Sequence, residues 1–215
     1  MQANNLGSGK NCIIGLLGRK GSGKTTQLCR LLSQPRFNNR AILIDPQQSI
    51  EFGVRVPDLQ SLAMLIQRQA KRRFRIAYSD INAIDFSRIH DPNVAKLEAL
   101  LHVCFDIGKL TLAIDEIDMF CNPYGVTESM KHLLARGRHY NIDLIWTTRR
   151  PQEVSKLLLS QTDEFYLFQM HHPADVKYFQ EFMPIDRESL LGLNVGQSLH
   201  WRVGQSYSDA LKSPE

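Results

Sequence analysis

Cysteine is scarce in this chain of 215 residues, and the four present, Cys12, Cys29, Cys104 and Cys121, lie far apart with no Cys-x-x-Cys pair. That spacing excludes a disulfide scaffold, and with no histidines clustered around them at ligand spacing it gives no zinc site either. Long apolar runs are also missing. No stretch approaches the roughly 20 residues that span a bilayer, and the first ten residues lack the apolar core of a signal peptide, so a reduced, cytoplasmic setting without membrane insertion is expected. Strong charge of either sign is lacking too: a net charge of +4 and a pI near 8.9 admit a nucleic-acid partner but fall short of a histone-like binder. No linker, repeat or low-complexity block interrupts the chain. One domain over residues 1–215 is therefore expected, with a flexible lead-in over 1–10 and a loose polar tail over 205–215.

The 43% of hydrophobic residues suffices for a sizeable core, and their arrangement sets the fold class. Short apolar runs predict strands at Cys12 to Leu17, Ala41 to Ile44, Arg75 to Tyr78, Leu110 to Ile114, Asp143 to Thr147 and Glu164 to Phe168. Helical patterns fill the gaps, at Lys24 to Leu32, Asp58 to Ala70, Asn93 to Ile107, Glu128 to His139 and Pro151 to Leu159. This alternation predicts an α/β fold with a mainly parallel sheet flanked by helices. A short helix at Ala174 to Phe182 and a terminal strand or hairpin within Gly196 to Val203 follow.

Between the first strand and first helix stands Gly18-Arg19-Lys20-Gly21-Ser22-Gly23-Lys24-Thr25, with Thr26 next. It matches G-x-x-x-x-G-K-[ST] in full and in the context its mechanism needs. Glycines let successive backbone N–H groups and the positive helix end point at phosphates, Lys24 reaches the β and γ oxygens, and Thr25 offers a hydroxyl to Mg²⁺. Gly7-Ser8-Gly9-Lys10-Asn11 looks similar but precedes the first strand and has Asn at the hydroxyl position. The run Leu110 to Ile114 ends in Asp115 and Glu116, which a buried parallel strand would place beside the phosphate loop. Asp115 is the candidate to hold Mg²⁺ through water, and Glu116 to polarise an attacking water. The absence of an Asn-Lys-x-Asp guanine-reading motif favours ATP as the nucleotide.

The segment Gly137-Arg138-His139-Tyr140-Asn141-Ile142-Asp143-Leu144-Ile145-Trp146-Thr147-Thr148-Arg149-Arg150-Pro151 resembles the FtsK and HerA superfamily of ring-forming motors that pump double-stranded DNA. In that superfamily a helix ending in arginine leads into a strand that closes on Thr-Gln-Arg-Pro or similar. Ala41-Ile42-Leu43-Ile44-Asp45-Pro46 is likewise similar to the second strand of HerA-like proteins. The resemblance implies a RecA-like core and a homo-oligomeric ring. Residue by residue, it implies that Thr148 and Arg149 sense the γ-phosphate and that Arg138 reaches a neighbouring subunit's site. Arg149 stands where the superfamily usually has glutamine, and Arg136 and Arg138 can also be read as a basic helix end. The length leaves room for a motor core alone, which resembles the stand-alone genome-packaging ATPases of membrane-containing icosahedral viruses. A capsid or portal-vertex protein becomes an implied partner, and host cytoplasm or virion an implied location. A related motor for plasmid transfer or DNA processing, or a nucleotide-dependent assembly ATPase, remains open on the sequence.

Arg68, Lys71, Arg72, Arg73 and Arg75 form the densest basic stretch. It suits sequence-independent phosphate contacts, and reads more readily as a solubilised helix end. His171-His172-Pro173 lacks a third metal ligand and reads as a loop or interface.

Overall fold

In the computed structural model, which describes residues 11–69, 72–170, 172–183, 185–204 and 211–212, the chain folds around a nine-stranded sheet. Strands β1 (Ile13–Leu17), β2 (Arg40–Ile44), β3 (Val54–Val56), β4 (Phe74–Tyr78), β5 (Leu110–Ile114), β8 (Ile142–Thr148) and β9 (Glu164–Phe168) all run parallel. Two further strands, β10 (Ser198–Arg202) and β11 (Leu211–Lys212), add antiparallel at one edge, in the order β11-β10-β9-β1-β8-β5-β2-β4-β3. A small hairpin of β6 (Cys121–Asn122) and β7 (Gly125–Val126) stands apart. The fold class read from the sequence is thus borne out, including the antiparallel extension near the C-terminus.

The central strands are apolar on both faces because both faces are covered. Every residue of β1 and β5 is buried. On one face, α1 (Lys24–Ser33) presses Leu28, Leu31 and Leu32 onto Ile14, Leu16, Leu43 and Ile145, the i, i+3, i+4 stripe of an amphipathic helix. The other face carries α2 (Leu59–Gln69), α3 (Pro92–Ile107), α4 (Glu128–Tyr140), α5 (Lys156–Gln161), α6 (Pro173–Phe182) and α7 (Arg187–Leu191), around a larger cluster that includes Trp146, Leu112, Leu101 and Phe179. Their boundaries have local causes. Asp91 caps α3 by accepting from the Asn93 amide at 2.7 Å, ahead of proline at the first turn, and Thr127 caps α4 by accepting from Met130.

Three features depart from the expected pattern. The helix expected over Pro151 to Leu159 breaks: Pro151–Glu153 forms a single 3₁₀ turn, and α5 begins only at Lys156. Val154 is buried in the core, the Ser155 amide donates to the Cys121 carbonyl at 3.2 Å, and the Ser155 hydroxyl caps α5. Tertiary packing therefore outweighs local helix preference there. The basic stretch is also divided. Arg75 sits on β4 with its guanidinium 4.5 Å from the Phe52 ring centre, Arg68 lies in the last turn of α2, Arg72 and Arg73 are exposed in the following turn, and Lys71 falls outside the described residues. Finally, Leu211–Lys212, within the expected tail, pair with β10, while the lead-in 1–10 and the rest of 205–215 fall outside the described residues.

Candidate nucleotide site

The sheet order places the chemistry. Strand β1 pairs β8 on one side and β9 on the other, and β5 lies one strand further, beyond β8. The C-terminal ends of β1, β8 and β5 therefore share one edge, where open parallel sheets bind ligands.

Residues 18–23 leave β1 and turn into α1. Gly23 has φ +110°, and a side chain there would crowd Gly196 Cα at 3.1 Å, so glycine is required twice over. The loop is pinned from both flanks: Gly18 N donates to Thr148 O at 3.3 Å, Arg19 N to Gln169 O at 3.0 Å, and Gly196 N to Ser22 O at 3.0 Å. The first turn of α1 carries no acidic residue, leaving its positive end unneutralised. Lys24 is buried, and its Nζ arcs back to donate to Gly18 O at 2.6 Å and Arg19 O at 2.9 Å. Burial, helped by the nearby Arg149 charge, lowers its pKa to about 8 against the opposing pull of Asp115. The fully buried Ser22 hydroxyl has no partner among the described residues. Such a loop holds its donors around a space that a phosphate fits. Thr25 and Thr26 are exposed on the first turn.

Asp115 and Glu116 follow β5 into the same space. Thr147, at the end of β8, organises both: its hydroxyl donates to Asp115 Oδ1 at 2.6 Å and accepts from the Glu116 amide at 3.0 Å. Burial raises the pKa of Asp115, and the Thr147 bond only partly offsets it. Glu116 sits in the left-handed region at φ +54°, uncommon for a residue with a side chain, and its carboxylate pairs with the Arg149 guanidinium. Thr148 is fully buried and donates to Asp118 Oδ1 at 2.7 Å. Lys24 senses the charges of Asp115, Arg149, Glu116 and Asp118, so these residues form one electrostatic unit. Among the described residues no cluster of three or more His, Cys, Asp or Glu could hold a metal alone. A magnesium ion bound mainly by nucleotide phosphates, with the Thr25 hydroxyl and Asp115 as the chain's contribution, fits that donor set.

Arg138 is not brought to this edge. It lies exposed in the last turn of α4, at the start of β8, with the strand's seven residues, about 20 Å of rise, between it and the loop. Asp45, at the end of β2, is buried and holds the next turn by accepting from the Ser49 and Ile50 amides and from Arg55.

Sequence reasoning missed Thr147, though a hydroxyl one residue before Thr148 was in view. It also missed the outer wall of the site. Beside α1 lies a cavity of about 650 Å³, lined beyond the loop by Gln27, Arg30, Phe168, Val195 and Gly196. The signal for that wall was faint: an aromatic residue closing β9, and Gly196 at φ +88° in a segment far along the chain.

A glycine loop around a buried lysine, faced across one intervening parallel strand by an acid-tipped strand, is the arrangement of a P-loop NTPase core of the RecA-like type. The comparisons agree with it. The chain is 29% identical over 182 residues to DNA packaging ATPase P9 of Enterobacteria phage PRD1, an alignment covering 82% of this chain and 72% of that protein. Genome packaging NTPase B204 from Sulfolobus turreted icosahedral virus 2, solved with AMPPCP, superposes with a TM-score of 0.71 at 19% identity over 94% of this chain and 95% of that one. The pCW3 conjugation coupling protein TcpA, bound to ATPγS, matches at a TM-score of 0.58 and 17% identity over 95% of this chain and 60% of its own. No family model matches. The resemblance read from the sequence is borne out by these likenesses. Among the described residues no helix is long and apolar enough to cross a membrane.

Proposed function

We propose that this chain is an ATP-hydrolysing, double-stranded DNA translocase that packages a viral genome, working as a homo-oligomeric ring in the host cytoplasm or on the virion, at a capsid or portal-vertex partner. The observation that carries the reading is the likeness to a DNA packaging ATPase across most of the chain, in a fold shared with a packaging NTPase solved with ATP analogues.

The chemistry follows from the site. The backbone of Gly18, Arg19, Lys20, Gly21, Ser22 and Gly23 cradles the phosphates, with Thr26 beside it on α1. Lys24 exchanges the Gly18 and Arg19 carbonyls for β and γ oxygens, which favour its charged form. Thr25 and, through water, Asp115 would hold Mg²⁺, which would supply charge neutralisation at the phosphates. Glu116 orients the attacking water once it parts from Arg149. Thr148 holds Asp118 and Arg149 holds Glu116, so the two report on the γ-phosphate through acids that border it. Arg138, distant from its own loop, serves as a finger into a neighbouring site, which makes ring assembly part of catalysis.

The test is steady-state ATP turnover with and without long double-stranded DNA at two salt concentrations, with Glu116→Gln as control. We expect salt-sensitive stimulation by DNA. Glu116→Gln should retain ATP binding and lose turnover by about 10²–10⁴-fold. Turnover indifferent to DNA would overturn the translocase assignment in favour of an assembly ATPase.

A further inference from the structure

The phosphate loop has a second side. Besides the nucleotide cavity there is a smaller one, about 280 Å³, lined by Arg19, Lys20, Arg149, Arg150, His172 and Asp175 together with the buried Met170. The two cavities share no lining residue. The smaller one is assembled from the loop after β1, the end of β8, and the segment from the end of β9 into α6, three pieces that the order β9-β1-β8 makes neighbours.

Several of its groups are held in place. Arg19 Nε donates to Gln169 Oε1 at 2.9 Å, and His172 Nδ1 accepts from the Ala174 amide at 3.3 Å, fixing the ring as the cap of α6. Asp175 is buried, and His172 and Arg150 partly offset the cost of burying it. Arg149 pairs with Glu116 and Arg150 with Glu153, and Arg19 and Lys20 carry further positive charge to the rim. Four basic side chains thus converge on a cavity less than half the volume of the nucleotide's. That space suits a single phosphate group, whose several oxygens match arginine forks arriving from different directions.

Arg149 connects this cavity to the chemistry. It lines the cavity while its guanidinium is bound to the Glu116 carboxylate. A phosphate entering competes for the same guanidinium, and success leaves Glu116 free to orient water.

We propose that this cavity is a second phosphate site that takes a backbone phosphodiester of double-stranded DNA, and that its occupation draws Arg149 from Glu116 and so switches on hydrolysis. The proposal rests on the translocase reading and gives it a physical cause for DNA-stimulated turnover.

The test uses Arg150→Glu, Arg150→Ala and Arg150→Lys in the full chain, since Arg150 is exposed and lies outside the nucleotide cavity. Three quantities are measured: anisotropy of a labelled duplex across a salt series, affinity for a fluorescent ATP analogue, and turnover with and without DNA. Arg150→Ala should flatten the salt dependence of DNA binding by about one counterion. Arg150→Glu should abolish most DNA stimulation while DNA-independent turnover and analogue affinity stay within about twofold, and Arg150→Lys should restore part of the stimulation. Unchanged stimulation in Arg150→Glu overturns the site and leaves the translocase reading standing. Weakened analogue affinity with intact stimulation overturns the DNA source and assigns the cavity to a nucleotide phosphate. A wild-type protein that ignores DNA overturns both.

Discussion

The two edges of the sheet meet the same difficulty and resolve it differently. At the N-terminal edge of the parallel strands, acidic side chains meet backbone amides and basic side chains. Asp143 accepts from the Cys12 amide at 2.7 Å and from Arg36 at 3.0 Å, and Asp163 accepts from the Ile13 amide at 2.8 Å. Glu164 is pushed up by burial, yet its ion pairs with His200 and Arg202 outweigh that and hold it below the usual carboxylate range. Compensation is incomplete at Asp143, which burial keeps raised despite Arg36, and the buried Arg40 Nε at the start of β2 has no hydrogen-bond partner among the described residues. At the C-terminal edge, Asp115 has a threonine hydroxyl where Glu164 has two basic groups, and its pKa stays raised. Lys24 is satisfied by carbonyls alone. One edge carries partners for its charges, and the other leaves charges that an anion and a cation would complete. Stored electrostatic cost at one edge of an otherwise well-paired sheet marks a ligand site.

Substitutions can break that comparison. The largest effect is expected for Lys24→Ala: turnover should fall by about 10³-fold or more. The melting temperature of the nucleotide-free protein should not fall, because the change removes a charge that burial disfavours. Hydrolysis near wild type would mean the loop is not the site. Thr147→Val keeps shape but removes the hydroxyl that orders Asp115 and Glu116, and should lower turnover by about 10–100-fold while costing about 1–3 kcal/mol of stability. A loss of stability without loss of rate would make Thr147 a packing residue. Glu164→Gln, at the paired edge, should lower stability by about 2 kcal/mol, read by denaturant unfolding, and leave turnover per folded molecule unchanged. A rate defect there would erase the division between edges.

How much of this was legible in the sequence follows the same division. The loop and the acids were readable because each is a contiguous string whose spacing carries its mechanism, and the strands because burial on both faces writes unbroken apolar runs. The broken helix at Pro151–Glu153 was not, because what breaks it is a bond from Ser155 to Cys121, thirty-four positions earlier in the chain. Strand β3, the β6-β7 hairpin and α7 are too short to show a period. Phe168, Val195 and Gly196 reach the nucleotide cavity only through the pairing of β9 with β1 and the return of the chain before β10. The Arg149 to Glu116 pair joins residues that follow two different strands. Its arginine was noticed as a departure from a family pattern, but its partner could be found only once β5 and β8 were adjacent.

The smallest expected effect is also the most direct measure of the unmet charge at the C-terminal edge. An unfolded chain keeps the Lys24 proton up to the ordinary lysine value near 10.5, whereas the nucleotide-free fold releases it near 8. Between these values the unfolded state binds more protons, so this residue makes stability rise with pH across that window. Bound phosphates act in the opposite sense on the proton, favouring charged Lys24 and restoring its pKa. Nucleotide binding should therefore take up almost no proton at pH 7 and approach one proton at pH 9, and affinity should decline as pH rises above about 8. Calorimetric titrations at each pH, in two buffers of different ionisation enthalpy, measure that uptake. Zero uptake at pH 9 would mean that Lys24 is already compensated without ligand, and the contrast between the edges would lose its strongest member. Repeating the titration with Glu164→Gln sharpens the result: a site whose strain is local should show the same proton uptake when the opposite edge has been weakened.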